Sequence, residues 1–159
     1  MTAEKPSAAA KPRLLFVDSA NDLPSQLAEY YAKQLYGGVY DIYSAGPTKD
    51  IVDCDLISVM YCAGEDLRQQ KSKLFNDPEL PESYEYVIYL QKAVYDRWAV
   101  QEKVWAGKQI LIDMGSRQDF KCTDDQELAD CLLAMAAKIK AWVTDNLRDP
   151  QKLAALVTA

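Results

Sequence analysis

Four consecutive large apolar residues, Leu14-Leu15-Phe16-Val17, stand between Pro12-Arg13 and the polar run Asp18-Ser19-Ala20-Asn21-Asp22. A strand with one face in water alternates apolar and polar positions. An unbroken apolar run closed by turn formers suits a strand buried on both faces, as in parallel sheets. Parallel strands need crossover helices, and the rest of the chain supplies that alternation. A helix is predicted from Leu23 to Tyr36, with Leu27, Tyr30, Tyr31, Ala32 and Leu35 as its apolar stripe. Asn21 or Asp22 can cap it, Pro24 is tolerated in its first turn, and Gly37-Gly38 stops it. Val39 to Ser44 reads as a second strand, Val52 to Cys62 as a second helix with Leu56, Val59 and Met60 inward, and Tyr84 to Leu90 as a third strand. A short helix from Ala93 to Val104 and a fourth strand from Gln109 to Ile112 follow. The last helix, Asp124 to Leu147, has Thr123 as cap, Gln126 at capping-box spacing, and apolar Leu128, Leu132, Met135, Ile139 and Val143. The pattern predicts an α/β fold with a doubly wound parallel sheet and right-handed crossovers. Residues 1–12 read as a mobile N-terminal arm, 13–147 as a single domain, and 148–159 as a short C-terminal tail after Asp149-Pro150.

Composition removes several kinds of chemistry. The 159 residues include no histidine, which excludes a Ser-His-Asp triad, a Cys-His pair, a histidine zinc ligand and a histidine general base. Eighteen basic against 24 acidic residues give a net charge of −6, which argues against nucleic acid or an anionic membrane as partner. Cys54, Cys62, Cys122 and Cys131 form no Cys-x-x-Cys pair, so no zinc ribbon or thioredoxin-type site is expected. Their simplest reading is as small buried hydrophobes with reduced thiols. No apolar run approaches the roughly 18 residues of a membrane span, and no leader is legible, so a cytoplasmic protein is expected.

In an open parallel sheet, ligands bind beyond the carboxyl ends of the strands. That places Asp18 to Ser25, Ser44 to Thr48, Leu90 to Lys92 and Asp113 to Arg117 around one crevice. The first of these loops enters a helix N-terminus, whose free N–H groups and positive dipole end suit an anion.

Here the chain resembles the low-molecular-weight tyrosine phosphatases and the thioredoxin-coupled arsenate reductases built on the same fold. That family opens with a strand, a phosphate loop of the form Cys-x5-Arg-Ser and a helix often reading Gln-Met-Ala-Glu. Leu15-Phe16-Val17 leads here to Asp18, and Pro24-Ser25-Gln26-Leu27-Ala28-Glu29 enters the helix, with Asn21 on the loop's asparagine and Ser25 on its serine. Tyr43-Ser44-Ala45-Gly46 resembles the family's Tyr-Ser-Ala-Gly turn, Gln70-Lys71-Ser72-Lys73 its Gln-Arg-Ser-Lys segment, and Tyr84 to Leu90 its third strand. The resemblance implies a three-layer sandwich around a four-stranded parallel sheet of order 2-1-3-4.

The departures fall on the chemistry. The family's nucleophilic thiolate, stabilised by loop amides and helix dipole, corresponds to Asp18. Its arginine, a two-pronged clamp for phosphoryl oxygens, corresponds to Pro24, which has neither charge nor donor. The reductases' second cysteine corresponds to Gln91, with Lys92 in place of the neighbouring aspartate. The general-acid aspartate aligns with Ser116, although Asp113 and Asp119 lie nearby. A phosphate dianion about 4 Å from a carboxylate meets repulsion of several kcal/mol at an effective dielectric near 20. The helix N-terminus returns only about 0.3–2 kcal/mol. Repulsion wins unless Asp18 is protonated or a cation intervenes.

The resulting expectation is a catalytically inactive phosphatase-like or arsenate-reductase-like domain, acting as a binding or regulatory module. No cofactor is expected, and the ligand loop would comprise Asp18, Ser19, Asn21, Asp22 and Ser25 with Ser44 and Asp113. The alternative is an enzyme of altered chemistry in the same crevice, transferring phosphoryl groups through Asp18 with a divalent cation shared with Asp113. Leu-Leu-Phe-Val-Asp also looks like the start of a receiver domain, but Ser19 stands where such a site wants a second acid. The simplest reading of Asp18 and Asp113 is as loop carboxylates accepting backbone N–H groups. Tyr95, Trp98 and Trp105 read either as packing on the sheet or as an aromatic anchor for a protein partner. Arg68, Lys71 and Lys73 read as a solvated basic face, and self-association as a homodimer is left open.

Overall fold

The computed structural model describes residues 11–99 and 108–157. Strand β1, Arg13–Val17, pairs in parallel with β2, Asp41–Ala45, on one side and with β3, Tyr86–Tyr89, on the other; β3 pairs with β4, Lys108–Leu111. The strand order is therefore β2-β1-β3-β4, all parallel, as the resemblance implied. Helix α1, Pro24–Tyr36, follows β1, and α2, Cys54–Cys62, follows β2. Helix α3, Lys92–Trp98, follows β3, and α4, Asp125–Asn146, follows β4. Residues 100–104 of the predicted helix from Ala93 to Val104 lie outside the described residues.

The pleat divides the unbroken apolar runs between two cores. Leu14 and Phe16 of β1 and Tyr86 and Ile88 of β3 point to one side, where α1, α2 and α4 bury Leu27, Leu56, Met60, Leu132 and Ile139 against them. Leu15, Val17, Val87 and Tyr89 point to the other, under Val94 of α3 and the partly buried Phe75, Leu80, Tyr95 and Trp98. This two-sided burial explains why β1 carries no polar position between Leu14 and Val17.

Several local expectations shift. The segment after Asp149, read as a tail, carries helix α5, Pro150–Ala154; Asp149 caps it and Leu153 is fully buried in the larger core. Helix α4 is capped by Asp124 rather than Thr123, because the Asp124 carboxylate accepts the Glu127 N–H at 2.8 Å. Helix α2 begins at Cys54 because Asp53 accepts the N–H groups of Asp55 and Leu56. The cysteines are not core residues: all four are free, Cys54 and Cys62 are exposed, and Cys122 and Cys131 are half-buried. On α2 the inward positions belong to Leu56 and Met60, which leaves Cys54 and Cys62 on the outer side. Among the described residues, no helix is long and apolar enough to cross a membrane.

Candidate functional site

The loop from Asp18 to Leu23 runs from the carboxyl end of β1 into α1. The expected caps, Asn21 and Asp22, do not serve: the N-cap position is Leu23, which supplies no side-chain bond. The helix start is held instead by Asp18, whose Oδ2 accepts the N–H of Ser25 at 2.8 Å and of Leu23 at 3.4 Å. Its Oδ1 accepts the N–H of Asp22 at 3.3 Å. These are amides of the kind a phosphate loop turns toward its anion, and a carboxylate of the chain itself now occupies them. Asp18 is fully buried, and that burial raises its pKa above the ordinary carboxylate value, although the Ser25 and Leu23 amides pull the other way. The simplest reading of Asp18, as a carboxylate taking backbone N–H groups, therefore holds. Asp113 behaves alike at the surface, accepting the Gly115 N–H at 3.1 Å.

The rest of the loop is locked from within. Asn21 has φ 52°, a left-handed conformation that asparagine tolerates better than most residues. Its side chain donates to Ser25 Oγ and accepts the Lys73 N–H, both at 2.8 Å, while its carbonyl accepts from Gln26 Nε2 at 2.8 Å. The Ser-Ala-Gly turn presses against the loop so closely that a Cβ on Gly46 would lie 2.5 Å from the Asp18 carbonyl oxygen. Ser44 does not face the crevice as expected; it is buried and donates its hydroxyl proton to Glu29 Oε1. Pro24 opens α1, buried, where the missing N–H of proline costs nothing.

Beside the closed loop lies an open crevice of about 410 Å³. Of the sequence candidates it gathers Ser19, Asp22, Gln91, Asp113 and Ser116, while Asp18, Asn21, Pro24, Ser25 and Ser44 are not in its wall. Gln91 spans it from below: Oε1 accepts the Ser19 N–H at 2.9 Å, and Nε2 donates to the Gly115 carbonyl at 3.1 Å. Gln91 is thus a neutral tie between two loops. Ser116 begins a single turn of 3-10 helix, with its N–H given to Asp119 Oδ2 at 2.9 Å. Asp22 sits among Asp18, Asp50 and Asp53; burial and this company push its pKa up to about 6.

Sequence reasoning set Arg117 at the end of a crevice loop but gave it no role. Its guanidinium donates to Asp53 Oδ2 at 2.8 Å and to Asp55 Oδ2 at 2.7 Å, closing one wall of the crevice. The Asp-x-Asp spacing ahead of the α2 stripe is a legible cap signal, but the partner lies far along the chain. An arginine is present, then, yet both arms hold carboxylates instead of pointing at an oxyanion.

The cation-sharing arrangement of Asp18 with Asp113 is not formed. Asp18 is turned into its own loop and has no exposed surface, and among the described residues no group of three or more acidic or cysteine side chains is placed to hold a metal. Tyr95 and Trp98 pack edge-on against Tyr89 and Phe75, with ring centroids 5.4 and 5.5 Å apart, so much of their ring surface is used within the fold. Trp105 lies outside the described residues.

No protein-family model matches the chain, and no curated protein sequence does so. Solved structures do. A tyrosine phosphatase of Erwinia amylovora superposes with TM-score 0.61 at 14% identity, over 86% of this chain and 93% of that one. A low-molecular-weight protein tyrosine phosphatase from T. tengcongensis gives TM-score 0.61 at 15% identity, over 87% and 99%. An arsenate reductase in its phosphate-binding state gives TM-score 0.56 at 22% identity, over 92% and 99%. With the strand order, the loop and the helix layers already in place, the chain has the fold of the low-molecular-weight tyrosine phosphatases and arsenate reductases.

Proposed function

We propose that this chain is a non-catalytic member of its fold, a binding or regulatory module whose phosphate loop is filled by its own Asp18. The observation that carries the reading is the Asp18 carboxylate on the amides of Ser25, Leu23 and Asp22. An external oxyanion would have to displace that carboxyl from its amides, and wherever Asp18 is ionised it would also meet a repulsion of several kcal/mol. The thiol, the clamp arginine and the second thiol correspond to Asp18, Pro24 and Gln91. None of these can form a phosphocysteine or exchange a disulfide. The open crevice beside the loop then serves to hold a protein partner rather than to turn over a substrate. The free thiols fit the reducing cytoplasm.

The test is direct. Purified protein should hydrolyse p-nitrophenyl phosphate at the buffer rate, and its melting temperature should not move with inorganic phosphate. Asp18→Ala vacates the amides, so that variant should gain a phosphate-dependent rise in melting temperature. Hydrolysis by the native chain that disappears in Asp18→Ala would overturn the reading.

A further inference from the structure

A second cavity, of about 450 Å³, shares no wall residue with the crevice. Lys73, Glu29, Lys33, Lys71, Tyr43 and Leu80 are among its lining residues. Lys73 belongs to the segment read from sequence as a solvated basic face, and the structure corrects that reading. Its side chain is only 11% exposed, against 55% for Lys33 and 66% for Lys71.

The charge on that buried amine is poorly met. Its hydrogen bond, 3.0 Å long, goes to the neutral carbonyl of Lys71. Its nearest carboxylate, Glu29 Oε1, stands at 3.7 Å and already accepts from the Ser44 hydroxyl, while Glu29 Oε2 takes the Lys33 ammonium at 2.7 Å. Of the other charged groups, Asp77 favours its ammonium form and Lys33 and Lys71 oppose it, and Asp66 and Glu79 also line the cavity. Burial is the largest influence and lowers its pKa below the ordinary lysine value. A desolvated amine beside other cations is the setting in which lysine becomes a nucleophile.

We propose that Lys73 is a nucleophilic amine in the wall of this cavity, which takes a small aldehyde and holds it as an imine. The nitrogen lone pair attacks the carbonyl carbon, and the C=O π pair moves to oxygen. A proton passes from nitrogen to that oxygen through solvent at the open side of the cavity. The hydroxyl then leaves with the second amine proton as water, giving C=N with no oxidant or reductant consumed. A volume of this size accommodates a single-ring compound, and the wall sets Lys33, Lys71 and Lys73 against Glu29, Asp66 and Glu79.

The whole protein is treated at pH 7 with limiting 4-formylbenzoate and cyanoborohydride, and adducts at each lysine are counted by peptide mass spectrometry. Burial raises the neutral fraction of this amine at pH 7, so Lys73 should label several-fold faster than Lys33 and Lys71. In urea that advantage should vanish. Lys73 labelling no faster than its two neighbours in the folded protein overturns the proposal. So does an advantage that survives unfolding, which would place its origin in local sequence.

Discussion

Asp18 and Lys73 are both buried ionisable side chains, and the fold treats them differently. Asp18 is enclosed by backbone: amides of Ser25, Leu23 and Asp22 converge on it at the start of α1. Lys73, whose own N–H is given to Asn21 Oδ1, has an amine met by one neutral carbonyl and a carboxylate already shared by two other donors. Fixed backbone dipoles that are part of the helix terminus satisfy a charge without asking another side chain to be ordered. A counterion does so only when its own contacts are not already committed. Burial pushes both groups toward their neutral forms, but at Asp18 three backbone amides offset it, whereas at Lys73 one carbonyl and a shared carboxylate do so.

Removing each charge should separate the two cases most sharply. Asp18→Ala leaves helix-start amides without an acceptor, and should cost about 2 kcal/mol by urea denaturation, the upper end of a lost cap. A loss near zero would mean that water or phosphate replaces the carboxylate at no cost, and the contrast would fail. Lys73→Met keeps the length and packing of the stem and removes only the amine. It should leave stability unchanged or raise it by about 1 kcal/mol, because a buried, incompletely paired charge is dispensable. The sign with pH follows from the lowered pKa: the native amine's penalty is present at neutral pH and fades as pH rises toward 10.5. A large loss in Lys73→Met would show that the Glu29 contact is worth more than its geometry indicates.

The parts of the fold legible in sequence are those written in apolar periodicity. Leu14 to Val17, Tyr84 to Leu90 and the α4 stripe fall where they were expected, because burial on two faces or along one stripe leaves a repeating signal. The departures from the resembled motif, Asp18, Pro24 and Gln91, were also legible, since they are identities at single positions. The sequence did not show where polar side chains find partners. Gln91 reaching Ser19 and Gly115, Arg117 reaching Asp53 and Asp55, and Lys73 turning inward all depend on contacts distant along the chain. Even the helix caps were shifted, because Asp18 caps α1 from six positions before its first residue, beyond the reach of the usual capping pattern.

Asp22 gives a finer test of how closed the loop is. Its pKa is raised from 3.8 to about 6, through burial and the carboxylates of Asp18, Asp50 and Asp53. A raised carboxyl destabilises the fold while it is ionised. The penalty is therefore full above pH 6, declines as pH falls, and is gone below about 3.8. Asp22→Asn should add about 1 kcal/mol at pH 7, after allowance for solvent screening at a half-buried site. The gain should shrink through pH 5, as read from urea midpoints across pH. A gain independent of pH would assign the effect to hydrogen bonding and not to the negative field around the loop.

The smallest effect belongs to the crevice wall. Arg117 is 44% exposed at its side chain, so its bonds to Asp53 and Asp55 compete with water and salt. Arg117→Ala should cost about 0.5 kcal/mol at low ionic strength and less at high salt. Asp53 keeps its role as α2 cap, because that uses Oδ1 while Arg117 holds Oδ2. The variant thus changes the charge of the crevice by one unit with the loop and α2 intact. If a partner binds there, its affinity should change in Arg117→Ala while Asp18 stays on its amides and phosphate still fails to raise the melting temperature. A phosphate response appearing in Arg117→Ala would instead show that the wall, and not Asp18, keeps the anion out.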